Sequence, residues 1–202
     1  MLTWPGRILI LLITLVITSC VSARPQANFS LPSQTLLHKT VFIENNLEEW
    51  QQAAVAEALD EWECATNGMI HFERKFNSTE ENSMFADPRY SFIIKNTSSD
   101  DPKIAKSDKE RQVGTTTIGY YTKTNFDVPL ILLVQERLLD GTIYRATVEH
   151  EIGHAFGLVH ENDENSIMFP GVDVGAKHVT KVDLKQLCKL YPCKENEFKP
   201  CG

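Results

Sequence analysis

An α+β domain is the fold class the chain predicts, on three observations. The 202 residues are 42% hydrophobic and 23% charged, which suits one compact domain with a proper core. Strand, helix, several strands and helix follow one another along the chain. The strand segments show period-two or continuous apolar patterning, whereas the helical segments repeat at helical spacing. Thr40 to Ile43 reads as the first strand. Asn46, with Glu49 three residues on, gives a cap-like start to a helix whose Leu47, Trp50, Ala54, Ala58 and Trp62 line one face, and Asn67-Gly68 ends it. Ile70 to Phe76 alternates as a half-buried strand, and Tyr90 to Lys95 reads as another. Thr115 to Tyr121 is expected at a sheet edge, while the continuously apolar Leu130 to Val134 belongs inside the sheet. Another helix follows, and Thr180 with Asp183 opens a last one running to Tyr191, with Leu184, Leu187 and Leu190 turned to the core.

The ends lie outside that domain, which is placed at residues 40–192. Residues 1–19 carry one basic residue, Arg7, and the apolar run Ile8 to Ile17, and read as an export signal too short to span a membrane. Two cleavage solutions compete. Ile17-Thr18-Ser19-Cys20 resembles a bacterial lipobox, which would leave a lipidated Cys20 and attach the protein to a membrane. Val21-Ser22-Ala23 is an ordinary small-residue site, giving a leader over 1–23 and a secreted protein. The lipobox is preferred, because a cysteine directly after the apolar run has little other purpose. Residues 20–39, rich in proline, serine and glutamine, read as a tether, and 193–202 as a tail.

Besides Cys20 there are Cys64, Cys188, Cys193 and Cys201, an even set that in an exported chain points to two disulfides in one of three pairings. The pairing put forward staples the tail through Cys193 and Cys201 and leaves Cys64 to tie the first helix to the last. A formal charge of −7 argues against nucleic acid as a partner. Sequons stand at Asn28, Asn77 and Asn96.

The chemistry is concentrated in His150-Glu151-Ile152-Gly153-His154-Ala155-Phe156-Gly157-Leu158-Val159-His160, which fits HExxHxxGxxH. Residues four apart on a helix share a face, so His150 and His154 can present imidazole nitrogens to one metal ion. Gly157 sits where the helix must stop and the chain swing back, bringing His160 as a third ligand. Three protein ligands leave a tetrahedral zinc one open corner for water, the arrangement of catalytic sites. Glu151 is placed to take that water's proton without itself coordinating. Met168 follows within Ser166-Ile167-Met168-Phe169-Pro170.

With that methionine in register the chain resembles the metzincin zinc endopeptidases, and among them the matrixins over residues 147–191. The resemblance implies a single catalytic domain with a twisted mixed sheet and three main helices, the metal helix beneath the sheet. It makes Met168 the turn under the metal, not a ligand. An edge strand near Gly119 and Tyr120 would act as a rail for extended peptide substrate. Pro170 and Val172 would form the wall of the pocket just past the scissile bond. Some features depart from matrixins. Glu161 stands where serine is usual and Val172 where tyrosine is usual. Residues 97–125 hold no histidine for a second, structural zinc, and the latency segment PRCGxPD is absent. One zinc is therefore expected. Asp100 and Asp101 are the candidates for a calcium site, and His38, His71 and His178 read as non-ligands.

The function expected is hydrolysis of peptide bonds in protein or peptide substrates, through a zinc-bound water activated by Glu151, by a monomeric metalloendopeptidase. The rival is a zinc-bearing surface module that binds a partner without cleaving it. The intact Glu151 and ligand set speak against that rival.

Overall fold

Among the described residues five strands are joined into one sheet, and which faces of each strand are apolar explains where it lies. The computed structural model describes residues 37–79, 87, 90–102, 104, 114–117, 128–171, 178–193 and 201. In chain order these form β1 (His38–Glu44), α1 (Glu49–Ala65), β2 (His71–Ser78), β3 (Ser91–Thr97), β4 (Gly114–Thr117), β5 (Leu130–Val134), α2 (Gly141–Ala155) and α3 (Lys181–Leu190). The strand order is β2-β1-β3-β5-β4; neighbours among the first four are parallel, and β4 runs antiparallel to β5. The expected mixed sheet with three main helices is present.

β5 is apolar without alternation because it is covered on both faces. Ile131 and Leu133 join the main core, whereas Leu132 and Val134 pack with Ile104 in a second cluster. Val41 and Ile43 of β1 and Phe92 and Ile94 of β3 continue the main-core face, where they meet residues of all three helices. α1 and α2 are locked together by Trp62, fully buried, whose indole Nε1 donates to the Glu149 carbonyl at 3.0 Å.

Several expectations about the elements need correction. β1 starts at His38, so His38 and Lys39 belong to the sheet and not to the tether. α1 is capped at Glu48, whose N–H donates to Gln51 Oε1 at 2.8 Å, and not at Asn46. Asn46 is diverted to the end of β3, where its Nδ2 donates to the Asn96 carbonyl at 2.9 Å. Trp50 is 38% exposed and stands edge-on to Tyr144; Gln51, Val55 and Leu59 fill the buried face beside Ala54, Ala58 and Trp62. Phe76 is exposed on β2, which lies at the sheet edge. Leu190 is 41% exposed, while Leu184 and Leu187 are buried as expected.

β4 occupies the opposite edge. The described part of that strand ends at Thr117, so residues 118–121, including Gly119 and Tyr120, lie outside the described residues. Val172, the leader and Asn28 lie outside them too. The disulfides are Cys64–Cys201 and Cys188–Cys193, with Cα separations of 6.1 and 5.2 Å, and not the tail staple expected. Cys188 lies in the last turns of α3 and finds its partner just past the helix end, which frees Cys201 to reach Cys64 at the end of α1.

Candidate metal centre

α2 carries the first two histidines, and both its ends are fixed by local chemistry. Asp140 caps the start, its Oδ1 accepting from the N–H groups of Thr142 and Ile143 at 2.9 and 3.0 Å. At the other end Gly157 adopts φ +88°, the left-handed conformation glycine takes without a Cβ penalty. There Leu158 N–H reaches the Gly153 carbonyl at 3.0 Å and Gly157 N–H the His154 carbonyl at 2.8 Å. Those two bonds make a Schellman stop, which reverses the chain toward His160.

The three imidazoles converge. His160 Nε2 lies 3.2 Å from His150 Nε2 and 3.1 Å from His154 Nε2. These three are the one cluster of potential metal-binding side chains among the described residues. Each α2 histidine is oriented by a carbonyl: His150 Nδ1 meets the Ile167 oxygen at 2.7 Å, and His154 Nδ1 meets the Leu158 oxygen at 2.9 Å. A carbonyl can only accept, so the proton sits on Nδ1 and the Nε2 lone pair faces the centre. Burial, then neighbouring imidazoles for His150, lowers the pKa to about 3; burial lowers that of His154 to about 4 and also depresses His160. The carbonyl contacts of the first two oppose burial and lose.

That arrangement fits a zinc ion. Two inward lone pairs face a third imidazole, whose Nε2 can donate to only one of them, whereas one cation satisfies all three. Zinc–nitrogen bonds of about 2.0–2.1 Å at tetrahedral angles separate ligand nitrogens by roughly 3.3 Å, close to the distances seen.

The floor is made by the turn at Met168, which is fully buried. A Cβ on Gly153 would lie 2.4 Å from Met168 Sδ, so the glycine in the last turn of α2 is the room in which that thioether sits. Asp183, buried at the start of α3, gathers the turn. Its carboxylate accepts from Ser166 Oγ, from Ile167 N–H at 3.1 Å and from Met168 N–H at 3.3 Å. It also closes the α3 capping box with Thr180. The Ile167 carbonyl in turn holds His150, so α3 supports a ligand through the Met168 turn.

Glu151 is 5% exposed, on the side of α2 that meets β4. A Cβ at Gly114 would stand 3.0 Å from Glu151 Oε1 and 2.9 Å from Thr147 Cγ2, so the sheet edge runs directly beside the carboxylate. Its neighbour Glu149 is fully buried and paired with Arg145, with Oε2 lacking a hydrogen-bond partner among the described residues. Burial outweighs Arg145 there and pushes the Glu149 carboxyl up to about 9. Pro170 is exposed just past the Met168 turn.

The other candidates are not drawn in. His71 pairs with Glu63, His178 lies 3.7 Å from Glu61, and His38 packs edge-on to His71. Asp101 accepts from Thr97 Oγ1 at 2.6 Å, and neither it nor Asp100 belongs to a metal-ligand cluster among the described residues, so the calcium reading is not supported. Gly114, Gly153 and the supporting role of Asp183 escaped the sequence reading. A glycine inside a helix was the one available signal.

Comparisons with known proteins agree with this geometry. A family model described as matrixin matches residues 35–192. The rabbit (Oryctolagus cuniculus) macrophage metalloelastase is 39% identical over 54 residues, which is 25% of this chain and 12% of that protein. The chain thus spans only a small part of the length of that relative. Among solved structures, archaemetzincin from Methanopyrus kandleri superimposes with a TM-score of 0.51 at 14% identity, covering 79% of this chain and 98% of its own, which shows the fold.

Proposed function

The chain belongs to the matrixin family, and on that premise we propose that it is a zinc-dependent endopeptidase in which Glu151 is the proton-transfer group. The observation that carries the reading is the convergence of the Nε2 atoms of His150, His154 and His160, the first two rings oriented by backbone carbonyls. When bound, zinc supplies Lewis acidity, polarising the scissile carbonyl and acidifying a water. Glu151 accepts a proton from the attacking water and returns it to the leaving amine nitrogen, so no covalent enzyme intermediate is required. Its burial against Gly114 excludes bulk water and holds the carboxylate to one orientation.

Protein or peptide substrate lies extended along β4, the edge strand among the described residues, adding to the sheet by main-chain hydrogen bonds. Gly119 and Tyr120 would prolong that rail, and Pro170 with Val172 would wall the pocket beyond the scissile bond. Export is part of the same proposal, by way of residues 1–19 and with Cys20 as lipid anchor, and the two disulfides suit an oxidising compartment. No helix among the described residues is long and apolar enough to cross a membrane.

The test is Glu151→Gln, followed by zinc content and by cleavage of a peptide library. The variant should hold zinc as the parent does and lose about 10²–10⁴-fold in turnover. Cleavage at the parent rate would remove Glu151 from the mechanism, and a parent that binds zinc and cleaves nothing would point to a non-catalytic binding module.

A further inference from the structure

His150 and His154 ride on a helix, but His160 sits in irregular chain and must be held by something else. Leu158 is buried, so the segment is anchored before the ligand. Glu161 N–H donates to the Met168 carbonyl at 3.0 Å, so it is anchored after it. Between those points apolar packing gives little grip: Val159 is 59% exposed, and His160, though its ring meets the other two imidazoles, is exposed as a whole. What holds that stretch is one amide from α3. Gln186 Oε1 accepts from Val159 N–H at 2.6 Å, and its Nε2 donates to the Val159 carbonyl at 3.1 Å. The second Nε2 hydrogen serves Glu161 Oε1 at 2.8 Å. Both donors and the acceptor of the amide are thereby used on the two residues that flank the ligand.

We infer that Gln186 is a positioning residue for the third zinc ligand, clamping Val159 and Glu161 so that His160 Nε2 stays on the common centre. The inference rests on the zinc reading above. It also gives Glu161, the departure from the usual matrixin serine, a task as the acceptor for the amide's remaining hydrogen. Gln186 is 8% exposed, so the clamp works with little competition from water. Asp183 and Gln186 are three apart on α3 and share a face, so one helix face secures His150 through the Met168 turn and His160 through this amide.

The test compares Gln186→Leu, which keeps bulk and removes every polar contact, with Leu184→Val, which loosens the same helix and leaves all of these hydrogen bonds in place. Three quantities are read: zinc dissociation constant, visible d–d spectrum of the Co²⁺-loaded protein, and melting temperature of the metal-free protein. Gln186→Leu should weaken zinc by about 10–100-fold, the range for partners that orient metal ligands, and alter the cobalt spectrum. Leu184→Val should lower the melting temperature and leave both metal readouts at parent values. The exchange Glu161→Gln with Gln186→Glu keeps an acceptor for Val159 N–H and a bond between positions 161 and 186, and should recover part of the loss. If Gln186→Leu binds zinc as the parent does with an unchanged cobalt spectrum, the positioning role is wrong. If the parent itself binds neither metal, it is the zinc reading that fails.

Discussion

At the scale of single residues, Gly153 shows how closely the metal helix and its floor are fitted. Glycine inside a helix costs about 1 kcal/mol relative to alanine, so alanine there should stabilise α2 on propensity alone. The packing opposes this: the added Cβ would stand 2.4 Å from Met168 Sδ, 3.3 Å from its Cε and 3.4 Å from Trp62 Cζ2. Met168 and Trp62 are both fully buried, so the thioether has no open space to move into. Gly153→Ala should therefore destabilise the metal-free protein by about 1–3 kcal/mol in urea unfolding. Met168→Ala makes room, so the double variant should be less destabilised than the sum of the singles. Strict additivity would mean that the two positions do not press on each other. The ligand histidines were legible because spacing on one helix plus a glycine stop places them. Their orienting groups were not, because the Ile167 and Leu158 carbonyls are backbone atoms that any residue could carry.

At the scale of elements, the expected strands and helices are present, and the errors fall where side chains bind at long range. Asn46 and Glu49 look like a capping pair locally. The better partner for Asn46 lies fifty residues on, at Asn96. Asn96 is 5% exposed; its Nδ2 donates to Gln51 Oε1 at 2.7 Å and its Oδ1 accepts from Tyr144 Oη at 2.9 Å. One buried amide thus joins the end of β3, the first turn of α1 and α2. Such a hub cannot be read from a polar residue at the end of a strand, which looks like a turn residue or a sequon. Asn96→Ala should cost about 1–3 kcal/mol, since it leaves the buried Tyr144 hydroxyl without its acceptor and takes from Gln51 Oε1 one of its two donors. Lys185, exposed on α3, should tolerate alanine to within about 0.5 kcal/mol. Urea midpoints of the two variants check the contrast, and equal costs would show that the network contributes nothing.

At the scale of the whole molecule, buried titratable groups set a pH window with two sides of different origin. His150 and His154 fall from an ordinary 6.5 to about 3 and about 4 in the fold, and His160 is lowered too. Below pH 6.5 the unfolded chain takes up protons that the folded one refuses, so this stability is complete above 6.5 and is lost as pH falls. Glu149 runs the other way. Its carboxyl rises from 4.5 to about 9, so between those values the fold keeps a proton that the unfolded chain releases. That contribution is complete below 4.5 and is lost as pH rises through about 9. On the acid side, three histidines outweigh one carboxyl; on the alkaline side, of these groups, only Glu149 titrates. Metal-free protein should therefore be most stable near pH 6.5, by melting temperature across pH 4.5–9. Glu149→Gln, which keeps the shape and cannot ionise, should flatten the alkaline decline and, by removing the carboxyl that opposes the histidines, steepen the acid side above pH 4.5. Saturating zinc should raise the neutral plateau and steepen the acid side, because the metal binds only neutral imidazole. A Glu149→Gln curve parallel to the parent's over pH 7–9 would show that the buried carboxyl does not govern that side.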